Sequence, residues 1–256
     1  MSPIKCDLHV HTAEDPEDVA EMSARELINV AAKLGFDVLS ITNHNIVTFD
    51  DELKKYAWRR GILLLPGSEI SVRGKHVLVI NSRLRGNKLD KRIGTFEELE
   101  KIKDDETLII APHPFHRARV CLGKSLKENL HLFDALEASH FYSQHINLNE
   151  KAERYARRYG LPLVGTSDAH FFFQFGRSFS LVESEKDDPG SVVAAVKAGR
   201  VESVTRPLTI LGMGKVLLWL FLARLLRPVR TRNRQRVPAL KIPEDNPQPL
   251  RIVDKT

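Results

Sequence analysis

Short apolar runs that each end near a histidine or a carboxylate recur along this chain, separated by helical patterns. Val38-Leu39-Ser40-Ile41-Thr42 leads to His44, and Ile62-Leu63-Leu64-Leu65 leads to Glu69. Thr107 to Ala111 leads to His113, Ala135 to Ser139 to His140, and Leu161 to Gly165 to Asp168 and His170. Ile4 to Val10 opens the series and carries His9, with His11 just beyond. Continuous apolar runs of this kind read as strands buried on both faces, which is how a parallel sheet covered by helices looks in sequence. The intervening helix over 23–35 has Ser23 as N-cap with Glu26 at capping-box spacing, and an apolar face of Leu27, Val30, Ala31 and Leu34. Further helices are expected over 51–60, 95–103, 147–159 and 189–198, and His76 to Ile80 and Phe179 to Val182 as further strands. The strand–polar end–helix period repeats about seven times and predicts an α/β barrel with its chemistry at the C-terminal ends of the strands.

The first strand places Asp7, His9 and His11 on one face, so that two imidazoles about 7 Å apart grip a metal from the same side. A His-x-His pair by itself is more often decoration than a ligand set. Six strand ends that all carry a metal-binding residue type make that reading poor for the set.

Only Cys6 and Cys121 occur in 256 residues, which argues against a disulfide framework or a thiolate zinc site and fits a reducing, cytoplasmic compartment. No apolar h-region opens the chain, so no secretory signal is expected. The net charge of +6 is uneven: residues 203–256 hold eleven Lys/Arg against three Asp/Glu, a surplus of +8 that leaves −2 for residues 1–202. The basic character therefore belongs to the tail, and residues 1–202 are expected as one domain with 203–256 as an apolar helix plus basic tail.

Asp7-Leu8-His9-Val10-His11-Thr12, Ile41-Thr42-Asn43-His44, Pro66-Gly67-Ser68-Glu69-Ile70, Ala111-Pro112-His113-Pro114 and Gly165-Thr166-Ser167-Asp168-Ala169-His170 together resemble the PHP domain, the polymerase-and-histidinol-phosphatase family, over residues 1 to about 200. The resemblance implies a distorted seven-stranded (β/α) barrel that hydrolyses phosphoesters with two or three metal ions. It implies that His9, His11, Glu69 and Asp168 hold the first ion, and that Glu69 bridges to a second completed by His113 and His140. It implies that His44 and His170 help hold a third, for which Asp15 is the expected partner and Glu17 the alternative. Glu69, His113 and Asp168 are the expected catalytic residues. Asn43 stands where the family commonly has Asp.

The residue types make chemical sense of this. Imidazole and carboxylate without thiolate suit divalent zinc, manganese or iron. A bridging carboxylate holds two cations at the spacing of two-metal phosphoesterases, where a water loses its proton near neutral pH and attacks phosphorus. Arg117 and Arg177 are expected to bind substrate phosphate oxygens, as is His76, which also reads as orienting the bridge. The expected substrate is a small phosphorylated molecule such as a nucleotide; a 5′-end exonuclease on short oligonucleotides and a non-catalytic scaffold are the alternatives. In the tail, the apolar run 216–223 with Trp219 and Phe221 precedes six arginines between Arg224 and Arg236. Eight apolar residues are too few to span a bilayer. Residues 208–236 have the composition of an interfacial anchor on an anionic membrane, with a final helix packed on the barrel or on another subunit as the competing reading.

Overall fold

The computed structural model describes residues 2–83, 93–116, 118–139, 147–185, 188–209, 211–216 and 218. Among them the strands are β1 (Ile4–Val10), β2 (Val38–Ile41), β3 (Leu63–Val72), β4 (Lys75–Ile80), β5 (Leu108–Ala111), β6 (Ala135–Ser139), β7 (Leu163–Thr166), β8 (Ser178–Val182) and β9 (Val201–Thr205). The helices are α1 (Ala24–Lys33), α2 (Asp51–Trp58), α3 (Phe96–Glu100), α4 (Ser125–Glu128), α5 (Asn149–Tyr159) and α6 (Pro189–Lys197). The strands form one curled sheet in the order β7-β6-β5-β4-β3-β2-β1-β8-β9.

The expected seven-stranded (β/α) barrel is therefore corrected to nine strands of mixed direction. β1, β2 and β3 run parallel, as do β5, β6 and β7, but β4 is antiparallel to both of its neighbours. The cause is local. Arg73 and Gly74, both at positive φ (48° and 70°), make a two-residue hairpin between β3 and β4, and so short a link cannot cross over to a parallel strand. β8 is antiparallel to β1, and β9 to β8.

The sheet closes at its mouth. Beyond β7 the chain leaves the ladder and bonds to the end of β1: the Asp168 amide donates to the His9 carbonyl (2.8 Å) and the His11 amide to the Ala169 carbonyl (3.0 Å). Ser180 donates to the Gly165 carbonyl lower in the same seam. Ile4, Cys6, Leu8, Leu65, Leu78, Ile110 and Val164 fill the interior together with Val192, Val193 and Val196 of α6. Each large aliphatic side chain so buried contributes about 1.5–3 kcal/mol. Outside the sheet, Leu27, Ile28 and Ala31 pack with Leu39, Ile41 and Leu64. The Ser23–Glu26 capping box forms as expected, which sets where α1 begins.

Strand β1 is not regular. Asp7 pairs with Leu39 and Val10 with Ile41, so Leu8 and His9 together oppose the single residue Ser40. This bulge corrects the expectation of one shared face for Asp7, His9 and His11. Leu8 stays in the interior core while His9 and His11 both enter the mouth, and the Asp7 carboxylate turns to the seam and accepts from the Ser167 amide.

Beyond β9, Leu208 and Val216 are buried, the latter in a short helical stretch over 211–216. Among the described residues no helix is long and apolar enough to cross a membrane. Most of the expected anchor, 219–236, lies outside the described residues.

Candidate metal centre

Four atoms meet at the mouth of the barrel. His9 Nε2 and His11 Nε2 are 3.1 Å apart. Glu69 Oε2 lies 3.5 and 3.3 Å from them, and Asp168 Oδ1 lies 3.4 and 3.5 Å from them. A tetrahedron of ligands with bonds of about 2.0–2.1 Å has edges of about 3.3 Å, so these atoms already stand at the mutual spacing of one metal's ligands. The His9, His11 and Glu69 side chains are buried, and Asp168 is half-buried.

Glu69 reaches further. Its Oε2 is also 3.2 Å from His44 Nε2, and its Oε1 is 2.8 Å from His76 Nδ1 and 3.2 Å from His113 Nε2. Oε1 and His76 Nδ1 are buried, and neither has an aligned hydrogen-bond partner. Buried nitrogen and carboxylate oxygen atoms at this spacing fit a divalent cation, and the nitrogen-and-oxygen donor set fits zinc, manganese or iron.

The rings are held from behind. Nδ1 of His9 bonds Glu137 (2.6 Å), while Nδ1 of His11 and of His44 both bond Asp15 Oδ2 (2.8 and 2.9 Å). His113 Nδ1 meets Cys121 Sγ at 3.4 Å, and His170 Nδ1 meets the Asp168 carbonyl at 3.2 Å. A partner at Nδ1 fixes the tautomer and leaves the Nε2 lone pair for a metal. His113 and Asp168 both sit at positive φ (30° and 46°), a conformation that costs a non-glycine residue free energy and is retained where a side chain must be aimed.

Electrostatics follow from the crowding. Burial alone would lower the ring pKa of His9, but the carboxylates of Glu137, Asp168 and Glu69 push it up to about 10. Burial opposes the charge on Glu69, yet the surrounding imidazoles hold it well below the ordinary carboxylate range. Asp7 lacks such company: burial drives it up to about 7, its Oδ2 having no partner. His116, beside His113, is lowered to about 4 by burial and by that neighbour.

The structure thus brings together His9, His11, Asp15, His44, Glu69, His76, His113, Asp168 and His170. His140 and Arg117 lie outside the described residues. Arg177 donates through Nε to the Phe173 carbonyl and so braces its own loop. Glu17 accepts from Asn45 Nδ2 at 2.6 Å and is turned aside from the rings. Asp15 is saturated: Oδ2 accepts from His11, from the His44 ring and from the His44 amide, and Oδ1 from the amides of Glu17 and Asp18. Asn43 knits the β1 and β2 ends, accepting from the Thr12 amide and donating to Thr12 and Thr48 hydroxyls.

Sequence reasoning missed Glu137 and Asp18. Asp18 Oδ2 lies 3.5 Å from His170 Nε2 and had no distinguishing signal in an acidic loop. Glu137 did have one, a carboxylate in the middle of an otherwise apolar strand.

A family model described as PHP-associated matches residues 147–201, from the start of α5 to β9. An uncharacterised protein of Methanocaldococcus jannaschii is 32% identical over 130 residues, which cover 47% of this chain and 73% of that protein. Among solved structures, a two-domain protein of Bacteroides vulgatus containing a predicted PHP-like metal-dependent phosphoesterase is similar with a TM-score of 0.58 and 20% identity, over 80% of this chain and 65% of that one. A lesion-specific endonuclease of Pyrococcus furiosus is similar with a TM-score of 0.54 and 18% identity, over 78% of this chain and 57% of that one. At these identities the likeness is one of fold, and this chain spans less than two thirds of either solved protein.

Proposed function

This chain belongs to the PHP family, and we propose that it is a metal-dependent phosphoesterase whose first ion is held by His9, His11, Glu69 and Asp168. The observation that carries this reading is the near-tetrahedral spacing of their four ligand atoms, 3.1–3.5 Å across the five edges given above. A second ion would be held by Glu69 Oε1 and His113, with His140 as its further expected ligand, on the side where His76 Nδ1 also lies. His44 and His170 flank the first group and serve a third. When bound, such ions lower the pKa of a water and neutralise the charge that develops on the phosphoryl oxygens. The protein's own part is to hold each Nε2 lone pair in place through Glu137 and Asp15, and to keep Glu69 and Asp168 ionised in a buried site.

The proposed substrate is a small phosphoester, because residues 1–202 carry a net charge of −2, which disfavours extended contact with a long polyanion. Phosphate release from mononucleotides, nucleoside bisphosphates, sugar phosphates and histidinol phosphate, with manganese, zinc or iron supplied, tests the reading. Turnover on at least one of them, abolished by a chelator, is expected. Activity confined to 5′-phosphorylated oligonucleotides transfers the role to an exonuclease, and inactivity on all of them sinks the proposal.

Metal uptake should release protons. Imidazole binds a cation only when deprotonated, and His9 is held protonated up to about 10 by its carboxylates. Below that pKa the ion must displace the proton, so apparent affinity falls as pH falls, about tenfold per unit for each proton displaced. Calorimetric titration at pH 7 in two buffers of different ionisation enthalpy should show at least one proton released; identical heats in both would contradict the arrangement.

Asp15 has no lone pair to spare, so we propose that it acts through His11 and His44. Asp15→Ala should weaken metal retention about 10–100-fold. Glu17→Ala should leave it unchanged, since that carboxylate serves Asn45. Metal content after dialysis reads both, and the reverse pattern would make Glu17 the ligand.

A further inference from the structure

Strand β6 reads Ala-Leu-Glu-Ala-Ser, and its one carboxylate is fully buried. Taking an ion out of water costs several kcal/mol, and an apolar residue would pack this strand at no such cost. What Glu137 gains in return is three donors. His9 Nδ1 approaches Oε1 at 2.6 Å, and the Thr166 hydroxyl donates to the same oxygen. The His113 amide donates to Oε2 at 2.5 Å.

These contacts join strands that are not paired in the sheet. β1 and β5 are not neighbours, yet one carboxylate on β6 bonds a side chain at the end of the first and the backbone just beyond the second. His113 is the residue at φ 30°, and Glu137 receives its amide there. The remaining atoms of these two histidines point the same way, His9 Nε2 to Glu69 Oε2 and His113 Nε2 to Glu69 Oε1. Thr166 lies on the adjacent strand β7, two residues beyond the register partner of Glu137, and prevents the carboxylate from turning.

We infer that Glu137 is a positioning residue that sets two ligands on opposite sides of the Glu69 bridge at once, fixing His9 as an Nε2 ligand and His113 in its strained backbone. It touches neither substrate nor ion. The inference rests on the phosphoesterase reading for its purpose but on hydrogen bonds alone for its mechanism. A glutamine at 137 can accept with only one of its two terminal atoms. Either His9 Nδ1–H or the His113 amide then faces an NH2 group, and no rotation of the amide satisfies both.

The test compares the full-length wild type, Glu137→Gln and a packing control, Val164→Ala, by zinc titration and by the imidazole tautomers in 15N–1H spectra. Val164 is the buried register partner of Glu137, so the control perturbs the same place without removing an acceptor. Glu137→Gln is expected to bind the first zinc 10–100-fold more weakly and to lose the single Nδ1–H tautomer of His9. Val164→Ala should lower the melting temperature and keep both. Wild-type affinity and an unchanged His9 tautomer in Glu137→Gln would overturn the inference, as would equal weakening in Val164→Ala. If the wild type takes up no zinc, the phosphoesterase reading fails, and the hydrogen-bonded Nδ1–H signal of His9 in the metal-free protein, present in the wild type and lost in Glu137→Gln, decides the role of Glu137 alone.

Discussion

Glu69→Gln is expected to lose most of its bound metal and to cut turnover on the order of 10³-fold, equivalent to about 4 kcal/mol of transition-state stabilisation. Among the described residues no other side chain is placed as Glu69 is. Its Oε2 faces His9, His11 and His44, and its Oε1 faces His76 and His113. Glutamine has nearly the same volume, so the barrel should fold, but it replaces one anionic oxygen with a hydrogen-bond donor. That donor would point into lone pairs already aimed at a cation, on one side of the bridge or the other. Metal analysis and phosphate release on the same preparation check both halves. Wild-type metal content together with wild-type turnover in Glu69→Gln would remove the bridge from the account.

Gly165→Ala is expected to destabilise the whole barrel by about 2–3 kcal/mol, the scale of overpacking a close contact. A methyl group at Gly165 would lie 2.4 Å from the Phe179 carbonyl oxygen and 2.9 Å from Ser203 Oγ. The first of these is backbone of the neighbouring β8 and cannot rotate away. Relief requires the seam between β7 and β8 to open, and the same seam carries Asp168 to the end of β1. Gly67→Ala is the informative contrast: its methyl would meet Ser40 Oγ, a side-chain atom that can change rotamer. Thermal melts should show Gly165→Ala falling several degrees below Gly67→Ala, on the order of 2–4 °C per kcal/mol for a chain of this size. Metal affinity should fall with it, because Asp168 supplies one of the four ligand atoms. Equal melting temperatures for the two variants would mean that the seam yields without cost.

The candidate metal centre was readable from sequence to the extent that it follows strand ends. His9, His11, His44, Glu69, His113, Asp168 and His170 all converge, because a parallel strand delivers its C-terminal residue to the mouth whatever the details of packing. His76 converges for the opposite reason. The Arg73-Gly74 hairpin reverses β4, so its first residues, not its last, stand at the mouth. That dipeptide stands in the sequence, but a uniform strand–helix period predicts a parallel strand there.

By itself, then, the sequence determined the alternation of buried strands and helices, the α1 cap at Ser23, and a donor set of imidazole and carboxylate without thiolate. Each of these depends on local pattern or on residue chemistry, which act over a few positions. The tertiary structure alone decided that a bulge turns His9 into the mouth and Asp7 to the seam, that the described residues form a sheet of nine strands, and that Glu137 and Asp15 stand behind the rings. Those outcomes depend on strand register and on closure across the barrel. Both are set by which distant residues pack together, and a hydrogen bond between His9 and Glu137, 128 residues apart, leaves no periodicity to read.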